Sequence, residues 1–148
     1  MLLTIPAFGS FQGGEDTYLP HDYETALKFW QPLARQGNPE AQNMLGYMYR
    51  YGQGVPQDFE QARPWYRLAA GQGFARGQNN LGMLYRQGLG VKQDYQIAWQ
   101  WFLRAAEQGI DPAIQALTML RQEMTSRQIE EAKTLAKEWV LKGKEVTL

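Results

Sequence analysis

The chain has 148 residues, 44% of them apolar and 20% charged, with 15 Lys plus Arg balanced by 15 Asp plus Glu and no cysteine. This composition fits one globular domain with a sizeable core and excludes a disordered segment, a disulfide scaffold and a membrane-spanning chain. Zero formal charge removes the basic footprint that nucleic acid or an anionic membrane requires, and a single histidine without any thiol leaves little for nucleophilic or metal chemistry.

Met1-Leu2-Leu3-Thr4-Ile5-Pro6-Ala7-Phe8-Gly9-Ser10-Phe11 is apolar, uncapped and free of Lys and Arg, so the basic start of a complete export signal is missing. Two readings stand for the arm at 1–18: the remnant of a truncated signal with its cleavage point near Gly9 or Ser10, or a segment that docks on the first helix. From residue 19 the chain echoes itself at intervals of 36 residues. Asp22, Asp58 and Asp94 align, as do Ala26, Ala62 and Ala98. In the same register stand Phe29, Trp65 and Trp101; Trp30, Tyr66 and Phe102; Gly37, Gly73 and Gly109; and Leu45, Leu81 and Leu117. A period of this length signals a stacked array of one structural unit.

Within a period, Ala62, Trp65, Tyr66, Ala69 and Ala70 follow the three-then-four spacing of one helix face, and so do Ala41, Met44, Leu45, Met48 and Tyr49. Each repeat is therefore a pair of helices. Gly37 and Gly73 are placed to close a helix in the left-handed conformation, after which Asn38-Pro39 and Asp111-Pro112 read as N-cap followed by proline in the first turn. Tyr51-Gly52-Gln53-Gly54-Val55-Pro56-Gln57-Asp58 is a loop in which Val55 anchors in the core and Asp58 caps the next helix, and Leu19-Pro20-His21-Asp22 copies its end. Pro32 and Pro64 fall inside predicted helices, and a local bend is expected at Pro64. Beyond Leu117 the pattern changes: Thr118 and Arg121 replace glycine and tyrosine, so the last helix pair is expected to pack differently. Thr125-Ser126-Arg127-Gln128 is a capping box that opens a final helix with Ile129, Ala132, Leu135, Ala136, Trp139 and Val140 on its inner stripe, before a tail at 143–148.

Leu81-Gly82, Tyr85, Gly88-Leu89-Gly90-Val91, Asp94, Ala98, Trp101, Ala105-Ala106 and Gly109 together resemble the Sel1-like repeat family, relatives of the tetratricopeptide repeats. The likeness extends over about 19–142. It implies an all-α, right-handed α/α superhelix, a solenoid of about three and a half helix-pair repeats with a C-terminal capping helix. It further implies that the first helix of each pair lines a concave groove, which maps here onto Asn43, Tyr47 and Arg50, Asn79, Met83 and Arg86, then Gln115 and Met119. Amides at these positions can bond a peptide backbone, guanidinium groups can hold carboxylates, and Tyr or Met supplies adaptable apolar contact. The same residues are equally explained as the solvated side of amphipathic helices.

Elsewhere the candidates have simpler explanations. The Gly-x-Gly loops lack the strand and third glycine of a dinucleotide fingerprint and read as turns. His21 stands where Gln57 and Gln93 stand and has no second His or Cys to share a metal. Asp58, Glu60, Glu130 and Glu131 read as helix caps and solvent-facing charges before any acid–base role. Four tryptophans take core positions, whereas Trp99 lies beside the inward face and is expected to be partly exposed, a contact candidate. The leading reading is a non-enzymatic adaptor that binds a protein or peptide, with no cofactor, no metal, no nucleic acid and no membrane insertion. One alternative is a cell-wall or beta-lactam-related binding protein or hydrolase, although the relatives credited with beta-lactam binding carry cysteine pairs that this chain lacks. Another is self-assembly, for instance a homodimer formed through Trp99 or the N-terminal arm. Family members are often exported, which favours the periplasm or secretion; lack of cysteine fits the cytoplasm as well.

Overall fold

Helix ends among the described repeats can be traced to backbone hydrogen bonds. The computed structural model describes residues 23–141, so the N-terminal arm, His21 and the tail lie outside the described residues. In chain order the helices are α1 Tyr23–Arg35, α2 Pro39–Tyr51, α3 Phe59–Gly71, α4 Ala75–Gln87, α5 Tyr95–Glu107, α6 Asp111–Glu123 and α7 Ser126–Leu141, with no strand among the described residues. At the end of α3 the Gly73 amide donates to Ala70 O and the Phe74 amide to Ala69 O, with Gly73 at φ +84°. This double bond across a left-handed residue is the Schellman closure, and it recurs at Gly37 and Gly109.

The side-chain caps are equally regular. Asn38 Oδ1 accepts from the Ala41 amide at 2.9 Å, and Asp58 and Asp94 accept from the amides of Gln61 and Ile97 at 3.0 Å. Thr125 and Gln128 form the reciprocal capping box: Thr125 Oγ1 accepts from the Gln128 amide and Gln128 Oε1 from the Thr125 amide. One expected cap moves. Ile110, not Asp111, precedes the first turn of α6, because the third turn keeps the register of Asn38 and Phe74; Asp111 instead places its carboxylate inside the first turn, at the positive end of the helix dipole. Helices α1 and α3 run unbroken through Pro32 and Pro64, both of which lie on exposed sides.

The helices form an all-α superhelix of stacked hairpins. Helix α2 pairs with α3, and α4 with α5, while α3 to α4 and α5 to α6 join successive hairpins. Helices α2, α4 and α6 also pack on one another and form one continuous layer. Closeness within a hairpin depends on Gly46 and Gly82, whose missing side chains admit the rings of Tyr66 and Phe102. Both rings are completely buried, each worth about 2–3 kcal/mol of transfer free energy.

Between repeats the bonds are carried by glutamine amides. Gln72 Nε2 donates to Gly37 O and to Gln42 Oε1, and Gln42 Nε2 donates to Ala34 O. One period later Gln108 donates to Gly73 O and Gln78 Oε1, and Gln78 to Ala70 O. Because leaving the buried Gln42 or Gln78 amide unpaired costs about 1–3 kcal/mol, the network fixes the stacking register as well as stabilising it.

The end of the array departs from the pattern. Helix α7 lies along α5 instead of forming a close hairpin with α6. Gln96 and Gln100 of α5 donate to the carbonyls of Gln128 and Ala132, and the Arg104 guanidinium stacks 3.5 Å from the Trp139 ring centroid. Burial on both sides holds the Arg104 pKa down, to about 10. This seam leaves Leu135 outside: it is 44% exposed, a correction to its expected place on the inner stripe, whereas Ala132 is fully buried.

Candidate functional site

The α2, α4 and α6 layer contains all eight groove residues expected from the sequence, and it divides them into two groups. One group is engaged in holding the layer together. Asn43 is buried and its Oδ1 accepts from Asn80 Nδ2 at 2.9 Å. Arg50 Nη2 reaches Gln87 Oε1 at 3.5 Å, and its guanidinium lies 5.1 Å from the Tyr51 ring centroid. Arg86 makes a two-pronged ion pair with Glu123, in which Nε donates to Oε2 at 3.2 Å and Nη2 to Oε1. Hydrogen bonding from Arg86 holds the Glu123 carboxyl below its ordinary pKa, and the same bond raises that of Arg86.

These contacts share one offset. Asn43 to Asn80, Arg50 to Gln87 and Arg86 to Glu123 are each separated by 37 residues, one period plus one. Asn79 breaks the series. Its counterpart at that offset is Ala116, which has no amide, and the buried Asn79 Oδ1 has no hydrogen-bond partner. The partners Asn80, Gln87 and Glu123 were absent from the expected site. The period itself carried the signal, since a residue of α2 or α4 facing the next helix of the same layer must meet a residue one period away and displaced by about one position.

The second group faces outward from the layer. Tyr47 and Met83 are half-buried, while Gln115 is exposed and Met119 is 49% exposed. Tyr47 lies between Asn43 and Arg50 on its helix face, and Met83 lies between Asn79 and Arg86, so both sit beside the seams those residues make. The Tyr47 ring packs against Tyr51 with centroids 4.5 Å apart, and Tyr51, 42% exposed, extends this apolar strip beyond what the sequence suggested. Tyr47, Met83 and Met119 therefore form a ladder of one large side chain per repeat.

Trp99 does not contribute to any such surface. It is 6% exposed, a correction to its expected partial exposure, because Met124 at the end of α6 and Ala132 of α7 join the cluster that encloses it. Its indole nitrogen is buried without a hydrogen-bond partner. Gly52, Gly54, Gly88 and Gly90 all adopt positive φ in turns, and Gly90 rests directly on the backbone of Phe59. Glu130 and Glu131 form surface ion pairs with Lys133 and Arg127, and Lys133 lowers the Glu130 pKa. Among the described residues no group of three acidic or histidine side chains converges as a metal site, and no helix is long and apolar enough to cross a membrane.

Comparison with known proteins agrees with this architecture. The family model described as Sel1 repeat matches residues 10–38, 39–74 and 75–110. No curated protein matches the chain. Among solved structures, the chain is similar to c5321, a protective antigen of uropathogenic Escherichia coli with an SLR fold, at 31% identity and a TM-score of 0.75. That match covers 83% of this chain and 27% of the antigen. It is also similar to a Sel1 repeat protein from Oxalobacter formigenes, at 40% identity and a TM-score of 0.65, over 70% of this chain and 42% of that one. The chain thus spans less than half the length of either.

Proposed function

Because the chain belongs to the Sel1 repeat family, we propose that it is a protein-interaction scaffold that works by binding rather than by turnover and takes a peptide or protein segment on its α2, α4 and α6 layer. The direct packing of α2 on α4 and of α4 on α6 supports reading this layer as the concave side. The carrying observation is the ladder of Tyr47, Met83 and Met119, one rung per repeat, with the most exposed rung on α6. Adaptable thioethers and an aromatic edge suit a partner's apolar side chains. The polar groups beside them act differently from the sequence expectation. Arg86 and Asn43 have their bonds inside the layer, so they shape the groove, and a ligand carboxylate would have to displace Glu123 to reach Arg86.

A photoactivatable benzophenone amino acid at position 83, and separately at position 119, should cross-link a discrete partner in the native cell. The same group at Leu68, an exposed outer position on α3, should not. Equal products from Leu68 and Met83, or products from Leu68 alone, would remove the assignment of the groove.

A further inference from the structure

The face of α2 that meets α3 contains Gln42, Leu45 and Gly46, and all three are buried. Its equivalent on α4, comprising Gln78, Leu81 and Gly82, is buried in the same way against α5. One period later α6 carries Ile114, Leu117 and Thr118 on that face, and it is open: Ile114 is 47% exposed, Thr118 is exposed and Leu117 is only half-buried. Helix α7, which the repeat would place there, is committed to α5 through Gln96, Gln100, Trp101 and Arg104. The surface on α6 is therefore a continuation of an interface that the chain makes twice internally, and on both occasions an amphipathic helix covers it.

We propose that this flank of α6 docks one amphipathic α-helix of a partner protein, and that its chemistry specifies a helix different from α3 or α5. At Gly46 and Gly82 an added Cβ would lie 2.5 to 2.9 Å from the ring atoms of Tyr66 and Phe102. Thr118 has that Cβ, so an aromatic ring at the equivalent point of the incoming helix is excluded and a small side chain fits. Gln42 and Gln78 accept an amide from the end of the covering helix, whereas Ile114 offers only a methyl surface. The carbonyl of Gly109, which corresponds to the Gly37 and Gly73 carbonyls bonded by Gln72 and Gln108, remains as the acceptor for a terminal amide donor. The fitting helix thus places Ala or Ser against Thr118, an aliphatic residue against Ile114 and an amide side chain beyond its last turn.

The probe is a fluorescent peptide with the α3 sequence Asp58–Gly73, stapled through the exposed positions 60 and 64, and its Tyr66→Ala form, each titrated with the full chain by anisotropy. The Tyr66→Ala peptide should bind one to one and at least tenfold more tightly than the Tyr66 peptide. Thr118→Gly in the chain should invert that order, and Ile114→Glu should abolish binding of both while the melting temperature stays unchanged. Absence of binding by the Tyr66→Ala peptide, equal binding of the two peptides, or binding that survives Ile114→Glu overturns the proposal. Concentration-dependent self-association of the unmodified chain that Ile114→Glu removes overturns it too, because the occupant would then be a second copy. Substitutions at Tyr47, Met83 and Met119 leave this flank intact, so failure here is distinguishable from failure of the groove.

Discussion

Glycine to alanine at position 82 should destabilise the protein, although the same change on an exposed part of a helix stabilises it. An alanine Cβ at Gly82 would lie 2.7 Å from Cδ1 and Cε1 of Phe102 and 3.3 Å from the Ala98 carbonyl oxygen. Carbon atoms settle at about 3.5–4.0 Å, so two ring contacts are short by roughly 1 Å. Phe102 is fully buried and cannot swing away, which makes this an overpacking substitution costing about 2–3 kcal/mol. Removing glycine from a helix interior returns about 1 kcal/mol. The net loss is about 1–2 kcal/mol, or roughly 3–8 °C in Tm for a chain of this size, read by circular dichroism on thermal and urea unfolding. Gly71, the last residue of α3, has nothing within 4 Å of its added Cβ, and Gly71→Ala should gain up to about 0.5 kcal/mol. A cycle with Phe102→Ala completes the test: in that background Gly82→Ala should become neutral or stabilising, giving a coupling of about 1–3 kcal/mol. Equal losses with and without the ring would refute the close-approach argument.

The amide pair across α2 and α4 predicts that Asn80→Ala leaves the buried Asn43 acceptor unanswered and costs about 1–2 kcal/mol, whereas Asn79→Ala, whose Oδ1 has no partner to lose, costs less than about 0.5 kcal/mol; chemical denaturation ranks the two. Asp94→Ala removes the acceptor for the Ile97 amide and should cost about 1 kcal/mol, with accelerated hydrogen exchange confined to the first turn of α5. For Glu123 the folded-state pKa lies below the ordinary value of 4.5, so its contribution is complete above that pH and is lost as the pH falls below it through the folded value. Both side chains of the pair are partly solvated, which limits the effect to about 0.5–1 kcal/mol. The urea midpoint of the unmodified chain should therefore fall more steeply between about pH 5 and pH 3 than that of Glu123→Gln, and parallel curves would assign the ion pair no net role.

The family resemblance mapped Tyr47, Met83 and Met119 onto one face of successive helices, and the structure does set them at equivalent places on α2, α4 and α6. The state of their neighbours was not legible. Asn43 and Arg86 look like free ligand-binding groups in one dimension, and only the approach of α4 and α6 supplies Asn80 and Glu123 as their partners. Leu135 fitted an apolar stripe at helical spacing, yet the line along which α7 meets α5 passes through Gln128, Ala132 and Trp139 and leaves it in solvent.

Sequence alone determined the helices, their period and those caps made by side chains, because such a cap depends on a side chain within three residues of the amide it serves and a Schellman turn on one residue that tolerates positive φ. Asn38, Asp58, Asp94 and the Thr125 box were readable for this reason, as was the stacking of identical units. Tertiary structure decided whether Trp99 met water, where α7 came to rest, and that α6 was left with an uncovered flank. Each of those outcomes depends on which helix arrives at a surface from elsewhere in the chain, and local spacing carries no record of that arrival.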